Sequence, residues 1–249
     1  MKLFARSPAG YTPTAAGEEI AHAARGMQDT VDAVERTVAG RDLRLTGNVR
    51  ITTTDTLAAA LIPAALATFA AAHPAIQLEL STQTHMVNLS KRVADVAVRA
   101  TRSPPPALVG RRVATVAGAI YGAPSYFART PARRALDHHA WIAPDDSLAG
   151  TTVATWMATL RVTPVLRVDT FMSLLHAAVT GIGLAALPCF VGDAHPGLQR
   201  ARGVVAELAT ELWVLTHEDL RGAARIRAIT DHLVAALTAQ RPLIEGRSR

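Results

Sequence analysis

The feature that most constrains this chain is an alternation of strand and helix patterns in its first half. Apolar and polar side chains alternate in residues 49–52 and 76–81, which indicates two half-buried strands. Between them, the alanine-rich run 57–72 is typical of a helix. A second helix is predicted over 86–93 and a third strand over 94–99. This order predicts a parallel sheet with covering helices.

The rest of the chain continues to mix strands and helices, so the predicted fold class is α/β with a second lobe. Hydrophobic residues make up 49% and charged residues 18% of the chain, which provides enough apolar material for a core. Residues 109–121 are predicted to hold two strand-like stretches, and Asp169 or Thr170 is predicted to cap a helix. Further strands are predicted at 141–143, 166–168, 184–187 and 211–216, and a closing helix at 223–237.

The segment 14–46 carries the clearest periodicity in the sequence. Two sets of apolar residues, four positions apart, each recur every seven positions, and the helix they predict stops at Gly40. Such an apolar stripe needs a partner, which is either a second copy of the chain or the chain's own globular part. The predicted dimerisation residues are Ile20, Ala24, Met27, Val31, Val34 and Val38.

Charge and cysteine content bear on partners and on the cellular compartment. The formal net charge of +6 favours polyanionic partners, nucleic acid first, although arginine-rich and alanine-rich usage also follows from a GC-rich coding sequence. Cys189 is the single cysteine, so no internal disulfide forms, as is usual in a reducing cytoplasm. The start of the chain does not resemble a secretory signal, and Pro63 interrupts the most apolar run. We therefore predict a cytoplasmic protein without a membrane partner.

The sequence offers no motif for catalysis, metal binding or a cofactor. Gly181-Ile182-Gly183 has part of a dinucleotide-binding pattern, but the predicted helix precedes it and the strand follows, which is the reverse of that motif. His138 and His139 are adjacent, so they point apart and make a poor metal chelate. We therefore predict no enzyme activity, no metal and no cofactor.

Hydroxyl groups and helix starts recur where predicted strands end. In open α/β sheets, ligands bind outside the carboxyl ends of the strands, and hydroxyls and backbone N–H groups there suit a carboxylate or another small anion. Each threonine taken alone is explained equally well as a strand former or a helix cap. The predicted effector-binding residues are Thr54, Asp55, Thr56, Thr82, Thr84, Arg99, Thr101, Asp169 and Thr170.

A series of short motifs, in order and over essentially the whole chain, resembles the LysR-type transcriptional regulators. Each motif is weak alone, and the series is specific. The motifs are Leu3-Phe4-Ala5-Arg6, Gly10-Tyr11-Thr12-Pro13-Thr14-Ala15-Ala16-Gly17, Gly47-Asn48-Val49-Arg50-Ile51, Leu61-Ile62-Pro63, His73-Pro74-Ala75-Ile76, Ala94-Asp95-Val96-Ala97-Val98-Arg99, Tyr121-Gly122-Ala123-Pro124-Ser125-Tyr126 and Gly181-Ile182-Gly183-Leu184-Ala185-Ala186-Leu187-Pro188.

The resemblance implies a two-lobe effector domain of the periplasmic-binding-protein type, with a small-molecule effector in the cleft between the lobes. It also implies that the heptad helix pairs two subunits and that Thr56 and Thr82 lie where the family contacts its effectors. The implied organisation is a wing remnant (1–13), a dimerising linker helix (14–46), effector lobe I (47–115 and 212–249) and effector lobe II (116–211).

The sequence departs from the family pattern at its start. Such regulators place a helix-turn-helix before the Leu-Phe-x-Arg element, and here Met1 stands at that element, so we expect a truncated DNA-binding head. Arg6 of the wing is the predicted phosphate contact, and one or two such contacts give little affinity. We therefore expect this chain alone to bind DNA weakly and without sequence preference, and a full-length form to bind through its head.

Two alternatives share the predicted two-lobe fold. One is a cytoplasmic solute-binding protein, against which the linker helix argues. The other is a small-molecule enzyme, such as one resembling prephenate dehydratase or porphobilinogen deaminase, and the sequence shows no catalytic cluster for it. Turnover of a ligand held in the cleft would distinguish the enzyme from the other two classes.

Overall fold

The computed structural model describes residues 3–7, 10–14, 16–17, 20, 24, 44–82 and 94–247. Its strands are β1 (Phe4–Ser7), β2 (Gly10–Pro13), β3 (Gly47–Thr53), β4 (Ile76–Thr82), β5 (Val96–Ala100), β6 (Leu108–Gly122), β7 (Ile142–Pro144), β8 (Leu166–Val168), β9 (Ala185–Pro188) and β10 (Gln199–His217). Its α-helices are α1 (Asp55–Ala60), α2 (Ile62–Ala72), α3 (Pro124–Arg129), α4 (Thr152–Thr159), α5 (Phe171–Val179), α6 (Cys189–Gly192), α7 (Ala224–Ala239) and α8 (Arg241–Ile244).

The first described part of the chain is a pair of short strands. Strands β1 and β2 are antiparallel, and Arg6 stands opposite Tyr11. Ile20 and Ala24 are helical, and Ile20 is 45% exposed, so its side chain is available to a partner. The dimerisation role of this segment stays a prediction. The other predicted dimerisation residues, Met27, Val31, Val34 and Val38, lie outside the described residues, as does Gly40.

Lobe I contains the parallel sheet that the alternation predicts. Strand β3 pairs in parallel with β4 on one side and with β5 on the other. The single helix predicted over 57–72 is wrong: α1 and α2 are separate helices that meet at Leu61, where Pro63 starts the second one without needing a backbone donor. The helix predicted over 86–93 lies outside the described residues.

Two long strands, β6 and β10, run through the middle of the molecule. They pair antiparallel in the sheet order β4-β3-β5-β10-β6-β9, so the sheet is mixed rather than purely parallel. The two separate stretches predicted over 109–121 are one strand of 15 residues, and the strand predicted at 211–216 is part of one of 19 residues. The proposed lobe boundaries, at 115–116 and 211–212, fall inside these strands and stay a prediction.

Lobe II is built on the far halves of these two strands. Strand β9 pairs with the end of β6, and a bridge between Trp141 and Leu184 joins β9 to the parallel pair of β7 and β8. The buried indoles of Trp141 and Trp156 meet edge to face, with ring centroids 5.7 Å apart, in the core of this lobe. After β10 the chain is again in lobe I, where helix α7 packs against α2 and the sheet.

His139 is the buried histidine of lobe II, and it gives the fold a testable pH dependence. Its Nδ1 lies 3.1 Å from the hydroxyl of Tyr126, which accepts a hydrogen bond from the backbone N–H of Ala140. Burial lowers the pKa of His139, because desolvation disfavours the imidazolium, and the charges of Arg134 and Arg202 act in the same direction. The unfolded chain therefore takes up a proton at this residue before the folded chain does.

We expect His139 to lower the free energy of unfolding as the pH drops below about 6.5, the ordinary pKa of histidine. Above that pH, His139 should cause no such loss of stability. The replacement His139→Gln should remove this loss of stability at low pH, whereas His138→Gln, at an exposed neighbouring position, should leave it unchanged. Urea unfolding on both sides of that pH measures the difference. The same pH dependence in His139→Gln and in the unmodified protein would contradict this prediction.

Candidate functional site

A cavity of about 500 Å³ lies between the two lobes, and the ends of several elements form its wall. From lobe I come the first turn of α1 and the end of β5 with the loop that follows it. From lobe II come the starts of α4 and α5 and the end of β9. The middle of β6 and β10 forms the remaining side. A volume of this size accommodates a small organic molecule.

Six of the nine predicted effector-binding residues line this cavity. They come from both lobes and lie at the carboxyl ends of β3 and β5 and at the start of α5: Thr54, Asp55, Thr56, Arg99, Thr101 and Thr170. Their contact with an effector stays a prediction. Thr82 and Asp169 are exposed and are not among the described residues of the wall. Thr82 ends β4, the edge strand beyond β3, and is therefore displaced from the cavity. Thr84 lies outside the described residues.

Arg99 places a buried positive charge at the wall of the cavity. The residue is 2% exposed, and its guanidinium donates hydrogen bonds to the carbonyl of Thr53 (3.0 Å) and to Oγ1 of Thr52 (2.8 Å). Burial lowers the pKa of Arg99 to about 10, because the guanidinium has lost most of its hydration. A negative group in the cavity would compensate this desolvated charge.

Asp55 connects the two lobes on one side of the cavity. Its Oδ2 accepts a hydrogen bond from the backbone N–H of Met172 (2.9 Å), which belongs to the first turn of α5 in lobe II. Its Oδ1 accepts one from the backbone N–H of Thr56 (2.7 Å). Thr170 caps the same helix by accepting from the backbone N–H of Ser173 (3.1 Å). Two backbone N–H groups at the start of α5, those of Met172 and Ser173, therefore already donate to side chains of the protein and are not available to an anion.

Arg102 connects the lobes on the other side, and sequence reasoning missed it. Its Nε and Nη2 donate hydrogen bonds to the carbonyls of Ala209 (3.0 and 2.6 Å) and Glu207 (2.9 Å), both in β10. Arg102 also lines the cavity. The only available sequence signal was its position two residues beyond the end of β5, next to the predicted Thr101.

A turn before α4 supplies hydroxyl groups that the sequence analysis also missed. Ser147, Thr151 and Thr152 line the cavity from lobe II, and Thr151 caps α4 by accepting from the backbone N–H of Ala154 (3.2 Å). Their sequence has the composition of a surface loop, and its place beside the cavity depends on how lobe II packs. These three side chains add hydroxyl groups to the part of the wall that lobe II supplies.

Most of the rest of the wall is apolar, which the sequence did not predict. It consists of aliphatic and aromatic side chains from both lobes and from the long strands: Leu57, Val116, Leu148, Val153, Phe171, Leu187, Phe190 and Leu208. A cavity lined by basic, hydroxyl-bearing and apolar side chains suits a ligand that has both polar and apolar groups.

The described residues contain no group of three side chains placed to hold a metal ion. Among them, too, no helix is both long and apolar enough to cross a bilayer.

Comparison with known proteins agrees with this architecture. Residues 44–238 match the family model described as the LysR substrate binding domain. The HTH-type transcriptional regulator PgrR of Escherichia coli (strain K12) is 26% identical over 202 residues, which cover 76% of this chain and 66% of that protein. The chain therefore spans just under two thirds of the length of this relative.

Solved structures show the same fold. CrgA, a LysR-type transcriptional regulator from Neisseria meningitidis, superimposes with a TM-score of 0.66 at 20% identity, over 95% of this chain and 84% of that chain. The effector domain of the regulator AmpR of Pseudomonas aeruginosa superimposes with a TM-score of 0.64 at 18% identity, over 79% of this chain and 97% of that chain.

Proposed function

The chain belongs to the LysR family, whose substrate-binding domain spans most of its length, and on this premise we propose that it is the effector-sensing part of a DNA-binding transcriptional regulator. Its effector is a small molecule with one acidic group and an apolar body, held in the cavity between the lobes. The observation that carries this proposal is the mixed wall of that cavity, which combines two arginines and several hydroxyl groups with a larger number of apolar side chains.

The acidic group is assigned from the charges at the wall. Arg99 and Arg102 both line the cavity, and Asp55 uses its carboxylate on the start of α5. A carboxylate next to Arg99 would offset, through charge attraction, the desolvation penalty that lowers the pKa of that residue. We therefore place the acidic group on the side of Arg99, Arg102 and Thr101, and away from the start of α5.

The apolar body is assigned from the apolar side chains of the wall. Phe171, Leu187 and Phe190 present hydrocarbon to the cavity, and burying a ring or a short chain there is favourable at about 25 cal/mol per Å² of apolar surface. An inorganic anion would leave that surface facing water. An organic acid therefore fits better than phosphate or sulfate.

The remaining partners follow from the family premise. We propose that two copies pair through the helix bearing Ile20 and Ala24, that the regulator acts in the cytoplasm, and that DNA is contacted by a head to which Arg6 is adjacent. Binding in the cavity would shift the population of lobe arrangements, and the pairing helix would carry this change to the head. The chain is proposed to act without catalysis.

Titration calorimetry with benzoate and with the uncharged benzamide tests the ligand class. Benzoate should bind at least about tenfold more tightly, because a hydrogen bond to a charged group contributes about 1.5–3 kcal/mol and is lost in the amide. The benzoate recovered afterwards should be chemically unchanged, as expected for a sensor. Equal binding of the two compounds, or no binding of either, would contradict the proposed ligand class.

A further inference from the structure

The long strand β10 contains an irregular segment beside the cavity. Val205 pairs with Gly118 and Thr210 pairs with Val116, so residues 206–209 of β10 stand opposite Ala117 alone. An extended bulge of this kind interrupts the ladder at the point where the strand passes from one lobe to the other. We name residues 206–209 of β10 the crossing bulge.

The two lobes hold the carbonyls of the crossing bulge in alternation. Arg102, in the loop after β5 of lobe I, donates to the carbonyls of Glu207 and Ala209. Thr152, in the first turn of α4 of lobe II, donates through Oγ1 to the carbonyl of Leu208, which lies between them (3.2 Å). Consecutive carbonyls of one backbone segment are thus bound to different lobes, and both donors line the cavity.

The side chain of Leu208 anchors the crossing bulge in lobe II. Leu208 is 3% exposed and belongs to the apolar core of that lobe. A Cβ on Gly118 would come within 2.6 Å of the Cβ of Leu208, so this close approach requires the glycine. Leu208 fixes the bulge on the side of lobe II, and the bonds from Arg102 join the bulge itself to lobe I. The next bond to lobe I lies just beyond the bulge, where the backbone N–H of Thr101 donates to the carbonyl of Glu211 (2.8 Å).

We propose that Arg102 is an anion-responsive latch. Without a ligand its guanidinium ties lobe I to the crossing bulge, and an acidic ligand group in the cavity draws the guanidinium away and frees β10 to bend. The physical basis is a competition between acceptors, because hydrogen bonds from a guanidinium to a carboxylate are roughly twice as strong as those to a neutral acceptor. Arg102 is exposed, so its side chain can move between the two acceptors without unfolding the lobe. The identity of the competing group rests on the proposed function.

The latch is tested by the distance between spin labels on the two lobes. Labels are attached to Ala71→Cys in α2 and Ala158→Cys in α4, both exposed positions, while Cys189 is buried and does not react. Distance distributions are recorded for the otherwise unmodified protein and for Arg102→Ala, Arg102→Lys and Arg129→Ala, each with and without benzoate. Arg129 is the matched control, because it also donates to two backbone carbonyls, those of Ser125 and Gly181, and does not line the cavity.

Without benzoate, Arg102→Ala should show the distance distribution that benzoate produces in the unmodified protein, and Arg129→Ala should show none of this change. Arg102→Lys should lie between them, because an ammonium keeps the charge and lacks the planar fork that reaches two carbonyls. Adding benzoate should move Arg102→Ala no further. Its affinity for benzoate should also fall about tenfold, through the loss of a charge-assisted hydrogen bond.

The failures of the latch and of the proposed function are distinguishable. If Arg102→Ala and the unmodified protein share one distance distribution without benzoate, the latch is wrong, whatever the ligand does. The latch is also wrong if benzoate shifts both proteins equally. If calorimetry finds no binding of benzoate to the unmodified protein, the proposed ligand class and the anion response fail, and the ligand-free comparison still decides whether Arg102 ties the lobes.

Discussion

Replacing Arg99 by alanine should weaken the binding of an organic carboxylate in the cavity about 100-fold, because the buried positive charge nearest to the acidic group is lost. The free energy of unfolding should change by less than about 2 kcal/mol. The variant loses the hydrogen bonds to Thr53 and Thr52, and it also loses a charge whose pKa burial lowers to about 10. Losing the hydrogen bonds destabilises the fold, whereas losing the desolvated charge stabilises it, so the two effects partly cancel. Both the charge and the hydrogen-bond donors of Arg99 favour ligand binding, so their losses add.

Two further variants separate charge from position. Arg99→Lys keeps a positive charge but not the fork, so it should retain binding within about tenfold of the unmodified protein. Arg111→Ala removes a surface arginine of lobe I that pairs with Asp231 and does not line the cavity, and it should bind benzoate normally. Calorimetry and urea unfolding of all three variants give both quantities. Unchanged affinity in Arg99→Ala would remove Arg99 from the site.

Replacing Asp193 by alanine should lower the free energy of unfolding by about 3 kcal/mol, at the lower end of the range for breaking a buried ion pair. The Asp193 carboxylate pairs with the Arg200 guanidinium, and their side chains are 11% and 9% exposed. Its Oδ1 also accepts a hydrogen bond from the hydroxyl of buried Tyr121 (2.8 Å). The hydrogen bond to Asp193 is the main cause that raises the pKa of Arg200. Without the carboxylate, the nearly buried Arg200 loses its charged partner and the buried hydroxyl of Tyr121 loses this acceptor.

The same cluster fastens the end of the described chain to lobe II. Arg200 also donates to the carbonyl of Gly246 (3.0 Å), and a Cβ on Gly246 would lie 2.9 Å from Sγ of Cys189. Gly246 has a φ of +67°, a conformation that favours glycine. The loss of Asp193 should therefore loosen this segment as well as lobe II.

Asp193→Asn is the matched control, because the amide oxygen still accepts from Tyr121 while the charge is lost. We expect a smaller loss for this variant, about 1–2 kcal/mol. For a chain of this size, 3 kcal/mol corresponds to a decrease of roughly 6–12 °C in Tm, which calorimetry resolves. Equal stability of Asp193→Ala and the unmodified protein would show that water replaces the carboxylate at no cost.

The sequence alone predicted those elements whose apolar and polar residues follow a local periodic pattern. Alternation is a local pattern, and it predicted β3 and β4 as strands. It did not predict their burial, because Thr52 is buried beside Ile51 and Leu80 is 40% exposed. The sequence did predict more than these strands. It also predicted that hydroxyls at the ends of β3 and β5 lie together, because the carboxyl ends of parallel strands meet at one edge of a sheet. Thr54, Thr56 and Thr101 do line one cavity.

Tertiary structure alone decided how those elements are joined and which groups lie across the cavity. Asp55 bonds to a backbone 117 residues further along the chain, and Arg102 bonds to one 107 residues away. In the sequence, Asp55 has the same local pattern as an ordinary residue at a helix start, and Arg102 has that of an ordinary surface arginine. The crossing bulge of β10 and the turn at Ser147–Thr152 are likewise set by packing between lobes, which no local period records. A periodic pattern shows which face of an element is buried, whereas the partner that covers that face is selected by the free energy of the whole fold.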